Sequence, residues 1–308
     1  MTTPPLRIGT RGSPLALAQT HQTRALLAKA HGVPEDHFTI EIIRTTGDAI
    51  QDRALAESGG KGLFTKELDA ALIAGAIDLA VHSSKDLPTH LPTEVIVAGY
   101  LPREDVRDAF IGRNGATLLQ LPKGATVGTA SLRRAAQVKR LRPDIKTALL
   151  RGNVETRLKK VQSGEFDGTL LALAGLKRLG LDSHATEILP LDGFMPAAGQ
   201  GAIGITCRAA DAGTRATLAL ILDEATGLAL AAERSFLTVL DGSCRTPIAA
   251  HARLEGKQLI FVGEVLRSDG GEFFSARGAG HAVDAALIGY NAGHDILLRL
   301  PHGVAGLV

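Results

Sequence analysis

The sequence predicts an α/β chain built as two lobes, closed by a small α+β region. Three observations lead there. Short apolar runs ending in polar or glycine-bearing turns alternate with helix-like stretches from Leu6 to Leu101, and again from Asp108 to Ala174. A charged stretch, Pro102–Arg107, separates the two series as a hinge would, and the chain turns back after Pro190 and Pro196. From Thr214 the pattern becomes two helices and then successive short strands, the order of an α+β domain.

Leu6–Gly9 reads as a strand, after which Ser13 and Pro14 occupy the N-cap and first position of a helix. Phe38–Thr45 is a second strand. It leads to the glycine-rich loop SGGKGLF, where Lys61 rides on a segment able to act as a lid, and then to a helix over Phe64–Gly75. Ile77–His82 is a strand ending in the polar turn Ser83–Asp86. In open α/β sheets ligands bind beyond the carboxyl ends of strands, which places Arg11, Ser13, Lys85 and Asp86 for chemistry; a turn-capping carboxylate is the structural alternative for Asp86. Val95–Leu101 completes the first series.

The second series has strands at Asp108–Gly112, Thr126–Ala130, Lys146–Leu150 and Gly168–Ala174. Gly199, Gly201 and Gly204 spell G-x-G-x-x-G, but strand-like rather than helical residues follow, contrary to the dinucleotide context. Cys207 in that run reads as a small buried hydrophobe. Helices are expected at Thr214–Leu222 and Asp223–Leu240, strands at Ile248–Leu254, Gln258–Leu266 and Glu272–Arg277, and a last helix from Val283. The boundaries expected are 1–101 plus 199–219, 102–198, and 220–308, which suits 308 residues at roughly 150 per domain.

Composition narrows the function. Hydrophobic residues at 45% and charged residues at 21% describe a globular chain, and no apolar run approaches the roughly 18 residues of a membrane span. The N-terminus lacks a signal-peptide pattern, so a cytoplasmic protein is expected. Two cysteines, Cys207 and Cys244, exclude a disulfide framework and leave no basis for a metal centre. Cys244 lies on a glycine-bearing turn beside Arg245, where a cation favours thiolate. The residues alone leave open whether that thiol has a role.

Charge is distributed unevenly. Gly128–Arg178 holds 12 Lys and Arg against 4 Asp and Glu, although the whole chain is only +2. Thr129, Ser131, Arg133 and Arg134 follow one strand, and Arg151, Gly152 and Arg157 surround a second strand-to-helix turn. Such turns present backbone N–H groups and the positive helix end to anions, and Arg adds a fork matched to carboxylates. With Arg178, these residues predict a polyanion pocket. Lys139, Arg140, Lys159 and Lys160 read instead as solvated helix faces. Nucleic acid fits poorly, because aromatics are 4% of the chain and no stacking platform interleaves with the arginines.

The runs LRIGTRGSPLALAQ, GGKGLFTKELD, AVHSSKDLP, GTASLRR, LRGNVETRL, LALAGLKRLGL, PAAGQGAIGI and DGSCRTPI stand in this order along the chain. Together they resemble the porphobilinogen deaminases, or hydroxymethylbilane synthases. The resemblance implies two lobes like those of type II periplasmic binding proteins and a third domain with a three-stranded antiparallel sheet. It also implies a dipyrromethane cofactor joined to Cys244 through a thioether, and stepwise addition of four porphobilinogens with loss of ammonia.

By resemblance Asp86 is catalytic, while Lys85, Asp86, Thr129, Ser131, Arg133, Arg134, Arg151 and Gly152 hold the cofactor. Arg11, Ser13, Lys61, Phe64, Arg157, Arg178 and Gln200 bind substrate. A monomer acting on a small molecule is expected, with neither nucleic acid nor membrane as partner. Glu57 stands where some relatives have Lys, Ala130 replaces a frequent Ser, and Ser243 a frequent Gly. A non-catalytic anion binder of the same fold would need neither Cys244 nor Asp86. A thiol hydrolase would need a base such as His251, the histidine nearest to Cys244 in sequence.

Overall fold

The computed structural model describes residues 4–49, 62–240 and 246–300. Lys61, Cys244, Glu57, Ser243 and most of the SGGKGLF loop lie outside the described residues. The chain forms two compact units: 1–51, 61–104 and 202–227 make one, and 52–60, 105–201 and 228–308 the other.

In the first unit β1 (Leu6–Thr10), α1 (Pro14–His31), β2 (Phe38–Ile42), α2 (Thr46–Ala49), α3 (Lys66–Ile73), β3 (Leu79–Ser83) and β4 (Val95–Tyr100) follow in order. Later come β10 (Ile203–Arg208) and α7 (Ala212–Leu218). The sheet runs β2-β1-β3-β10-β4, with β1 parallel to both neighbours and β10 antiparallel to both of its own. Alternate side chains feed two cores. Leu6, Ile8, Leu79, Val81, Ile203 and Ile205 pack with Leu27 of α1 and Leu218 of α7, while Ala80, Ile77 and Val95 meet Leu68 and Leu72 of α3. Ser13 caps α1 as its sequence predicts, accepting a bond from the Ala16 N–H at 3.3 Å with Pro14 beside it.

The second unit holds β5 (Asp108–Gly112), β6 (Thr126–Gly128), α4 (Leu132–Leu141), β7 (Lys146–Ala148), α5 (Val154–Gln162), β8 (Gly168–Ala172), α6 (Leu173–Arg178) and β9 (Glu187–Ile188). Its sheet order, β7-β6-β8-β5-β9, repeats the first: three parallel strands, then an antiparallel strand, then the edge. β10 is a strand where a dinucleotide motif would require a helix.

α8 (Glu224–Val239) leads to β11 (Ile248–Glu255), β12 (Gln258–Leu266) and β13 (Phe273–His281), a three-stranded antiparallel sheet, and α9 (Ala285–Arg299) closes the described chain. Phe236 of α8 packs on Phe261 of β12 with ring centroids 5.2 Å apart. This sheet corrects one expectation. Lys139 donates to the Ser268 carbonyl at 3.3 Å, and the Arg140 guanidinium lies 4.2 Å from the centre of the Phe273 ring, so this part of α4 is not a solvated face. Lys159 is exposed, and Lys160 pairs with Glu165 at 2.9 Å.

Candidate active site

Asp108 organises the arginine-rich residues of the second unit. It opens β5, all five residues of which are buried, and is itself wholly buried. A carboxylate there needs partners, because an unpaired buried charge is strongly unfavourable. Arg133 and Arg134, 5% and 6% exposed, take one oxygen each: Arg133 Nη2 lies 2.8 Å from Oδ2, and Arg134 Nη2 lies 2.6 Å from Oδ1. Arg134 also donates to the Leu170 carbonyl, and Arg133 to that of Met195. Gln200, fully buried, donates to Asp108 Oδ1 at 3.1 Å and to the Val106 carbonyl at 2.7 Å.

Local sequence explains why the arginines arrive there. Thr129 Oγ1 accepts the Ser131 N–H at 3.1 Å, and Ser131 Oγ accepts the Arg134 N–H at 3.4 Å, so the two hydroxyls build the cap that starts α4. Its first turn carries two cations and no acid. That is the unfavourable sense against the helix dipole, and two guanidiniums on one carboxylate leave positive charge in excess. Burial lowers the Arg133 guanidinium from its ordinary value and Asp108 works against that lowering, while Arg133 Nε is buried without a hydrogen-bond partner among the described residues. These features fit a ligand carboxylate.

Beside β7, Gly152 holds φ 114°, a left-handed value suited to glycine, and its carbonyl accepts Arg157 Nε at 2.9 Å. Asn153 caps α5 by accepting the Thr156 N–H at 2.9 Å. Arg151 is half-buried at the head of this turn. Arg178 reaches the Gly201 carbonyl at 2.8 Å, next to Gln200.

The first unit presents a separate set. β3 ends in a single helical turn, Ser84–Asp86, in which Ser84 is buried and Lys85 and Asp86 are exposed. The turn is held from below: Ser84 N–H donates to the Ala202 carbonyl at 3.0 Å, and Ser83 Oγ donates to Gln19 at 3.0 Å. His82, buried, sits 3.0 Å from Thr206 Oγ1, and burial, with the Arg11 charge adding to it, lowers its pKa to about 3. It is therefore a neutral packing partner at physiological pH. Arg11 lies over the Phe64 ring at 4.1 Å from its centroid, which brings together two of the residues expected to bind substrate.

Sequence reading missed Asp108, taking it only as the start of a strand. The available signal was a lone acid heading a wholly apolar run, since buried acids are rare unless paired.

The family model described as "Porphobilinogen deaminase, dipyromethane cofactor binding domain" matches residues 6–216, and "Porphobilinogen deaminase, C-terminal domain" matches residues 228–297. A curated relative from Nitrobacter winogradskyi named porphobilinogen deaminase is 57% identical over 292 residues, covering 95% of this chain and 92% of its own. One of the same name from Nitrobacter hamburgensis is 56% identical with the same coverage. Among solved structures, the periplasmic VFT2 domain of BvgS from Bordetella pertussis is 15% identical with a TM-score of 0.41, covering 76% of this chain and 93% of its own. From the collinear motifs, the length of these matches and the identity along nearly all its residues, the chain belongs to the porphobilinogen deaminase family.

Proposed function

We propose that this chain joins four porphobilinogen molecules head to tail into hydroxymethylbilane, growing the product from a dipyrromethane on Cys244. In each addition the aminomethyl C–N bond of porphobilinogen breaks and ammonia leaves. A C–C bond then forms from the methylene carbon to the free α-carbon of the preceding pyrrole, which loses its proton. Water finally releases the tetrapyrrole as its hydroxymethyl derivative. The dipyrromethane supplies the first of those free α-carbons.

The observation that carries this reading is the buried pair Arg133 and Arg134 on the single carboxylate of Asp108. Each pyrrole unit bears an acetate and a propionate, so the growing chain is a polyanion, and charge-assisted hydrogen bonds of about 1.5–3 kcal/mol each suit its retention. In this reading Arg133, Arg134, Thr129, Ser131, Arg151, Gly152 and Lys85 hold the primer. Arg11, Ser13, Lys61, Phe64, Arg157, Arg178 and Gln200 receive incoming units. Asp86 accepts pyrrole N–H bonds and balances the cation that develops on porphobilinogen as ammonia departs.

The domain division 1–101 plus 199–219, 102–198 and 220–308 goes with this reading, supported by one sheet in each part. A cytoplasmic monomer without nucleic-acid or membrane partners completes it. No helix among the described residues is long and apolar enough to cross a membrane.

Intact mass tests the whole. Protein made with its tetrapyrrole supply intact is expected to exceed its sequence mass by one dipyrromethane mapping to Cys244, and to convert porphobilinogen with release of ammonia. An unmodified Cys244 in active protein would overturn the assignment.

A further inference from the structure

α4 is tied to the C-terminal sheet at two places. The inner tie runs through the backbone at Met195 and Pro196: Gln137 Nε2 donates to the Met195 carbonyl at 3.1 Å, the Met195 N–H donates back to Gln137 at 2.7 Å, and the Ala250 N–H of β11 donates to the Pro196 carbonyl at 3.1 Å. The outer tie involves Arg140, which stacks on Phe273 of β13 and directs Nη1 toward Glu264 of β12 at 4.0 Å. Neither Arg140 Nη1 nor Glu264 Oε2 has a hydrogen-bond partner among the described residues. Gly270, in the β12–β13 turn, comes so close that a Cβ there would lie 2.7 Å from the Arg140 backbone nitrogen. With φ at 78°, the turn needs glycine twice over.

A stack on a half-exposed ring and an ion pair at 4.0 Å contribute little to stability. Their placement is more telling. Arg133 and Arg134 lie in the first turns of the same helix whose last turns hold Arg140. The sheet on which Arg140 rests begins at Ile248, four residues after Cys244, and four residues span at most about 14 Å. The register of α4 on this sheet therefore bears on how far a group attached to Cys244 stands from the arginine pair.

We propose that Arg140 is a positioning residue for the covalent primer: seated between Phe273 and Glu264, it fixes α4 on the C-terminal sheet and so sets the spacing between the Arg133–Arg134 pair and the strand that follows Cys244. The proposal rests on the reading of Cys244 as the attachment point. Arg140 touches neither substrate nor primer in this role. It acts through the helix.

Full-length chains made without tetrapyrrole supply are given porphobilinogen, and the gain of a dipyrromethane is followed by intact mass alongside thermal unfolding. Arg140→Ala is expected to acquire the primer about threefold more slowly than the parent chain, the scale of one weak cation–π or partly exposed ion-pair contact, with its unfolding midpoint nearly unchanged. Glu264→Gln is expected to slow it in the same direction. The exchanged pair, Arg140→Glu with Glu264→Arg, recovers most of the rate that either reversal alone loses. Priming of Arg140→Ala at the parental rate overturns the proposal, as does a fall in midpoint with normal priming of the folded fraction. If Arg140→Ala does not fold, Glu264→Gln and the exchanged pair carry the same test. No mass gain in any chain, the parent included, overturns the attachment reading and this proposal with it.

Discussion

Arg134 sets Nη2 2.6 Å from Oδ1 of Asp108, and that oxygen also accepts the side-chain amide of Gln200. One carboxylate thus joins the head of α4, the first strand of its unit and the segment that leads out toward β10.

Removing that carboxylate leaves two buried guanidiniums facing each other. Asp108→Asn is expected to destabilise the primer-free protein by about 3–5 kcal/mol, as breaking a buried pair does. Loading should then raise its unfolding midpoint by more than it raises that of the parent, because the primer's carboxylates replace the lost anion. Equal increments on loading, measured by calorimetry, would show that the primer lies elsewhere.

Arg133→Leu and Arg134→Leu are each expected to yield largely primer-free protein of reduced thermal stability. Intact mass and calorimetry check this together. Fully loaded, normally stable variants would mean that the pocket is drawn in the wrong place.

The two cysteines are expected to behave oppositely. Cys207 is wholly buried in β10, and burial pushes its thiol above the ordinary range, which suppresses the reactive thiolate. Native protein freed of primer should take up iodoacetamide at Cys244 and not at Cys207. Cys244→Ala should abolish turnover while Cys207→Ala keeps most of it, and peptide mapping with an activity assay reads both results.

For Asp86, loss of charge matters more than loss of shape. Loaded Asp86→Asn is expected to lose at least about 10³-fold in turnover, equivalent to about 4 kcal/mol of transition-state stabilisation, with Asp86→Glu retaining more. Near-normal turnover in the loaded Asn variant would remove Asp86 from the mechanism.

A stability effect with a defined pH sign is expected at Asp78. Burial works to raise its carboxyl, but bonds from Arg7, at 2.9 to 3.1 Å, and from Arg208, at 3.1 Å, outweigh it and hold the pKa below the ordinary value. A depressed carboxyl adds stability that is fully present above the unfolded value of about 3.9 and is lost as pH falls through the folded one. Asp78→Asn should cost about 1 kcal/mol at pH 7, the scale of a partly exposed pair. In urea titrations the deficit should shrink progressively as pH drops below about 4. A deficit independent of pH would assign the cost to lost shape.

The local parts of this fold were legible because their causes are local. Ser13 with Pro14, and the alternation of apolar strands with helices, depend on residues within a turn or two of one another, and each appears where its pattern puts it. Element ends moved where a strand hands over to a cap: the run expected to reach Ala130 stops at Gly128, because Thr129 and Ser131 are already building the cap of α4. Asp108 and Arg134 are 26 residues apart, and no spacing rule links them. Lys139 and Arg140 looked solvated because the strands that cover them are encoded more than a hundred residues later. The residues resembling family motifs could be named individually, but which of them share a carboxylate is a property of the folded chain.

The shared wiring of the two five-stranded sheets also bears on the order in which the protein can be made. β10 lies between β3 and β4, pairing Ile203 with Ser83 and Gly204 with Tyr100. A nascent chain that has produced β1 to β4 still lacks the strand that joins β4 to the rest of its sheet. That strand emerges only after all of the second lobe's strands have been synthesised. Until then β3 and β4 present open edges, the surfaces on which strands from other chains pair, and closing them requires contacts far apart in sequence, which form slowly. The first lobe to leave the ribosome therefore cannot complete its sheet until the second has been made.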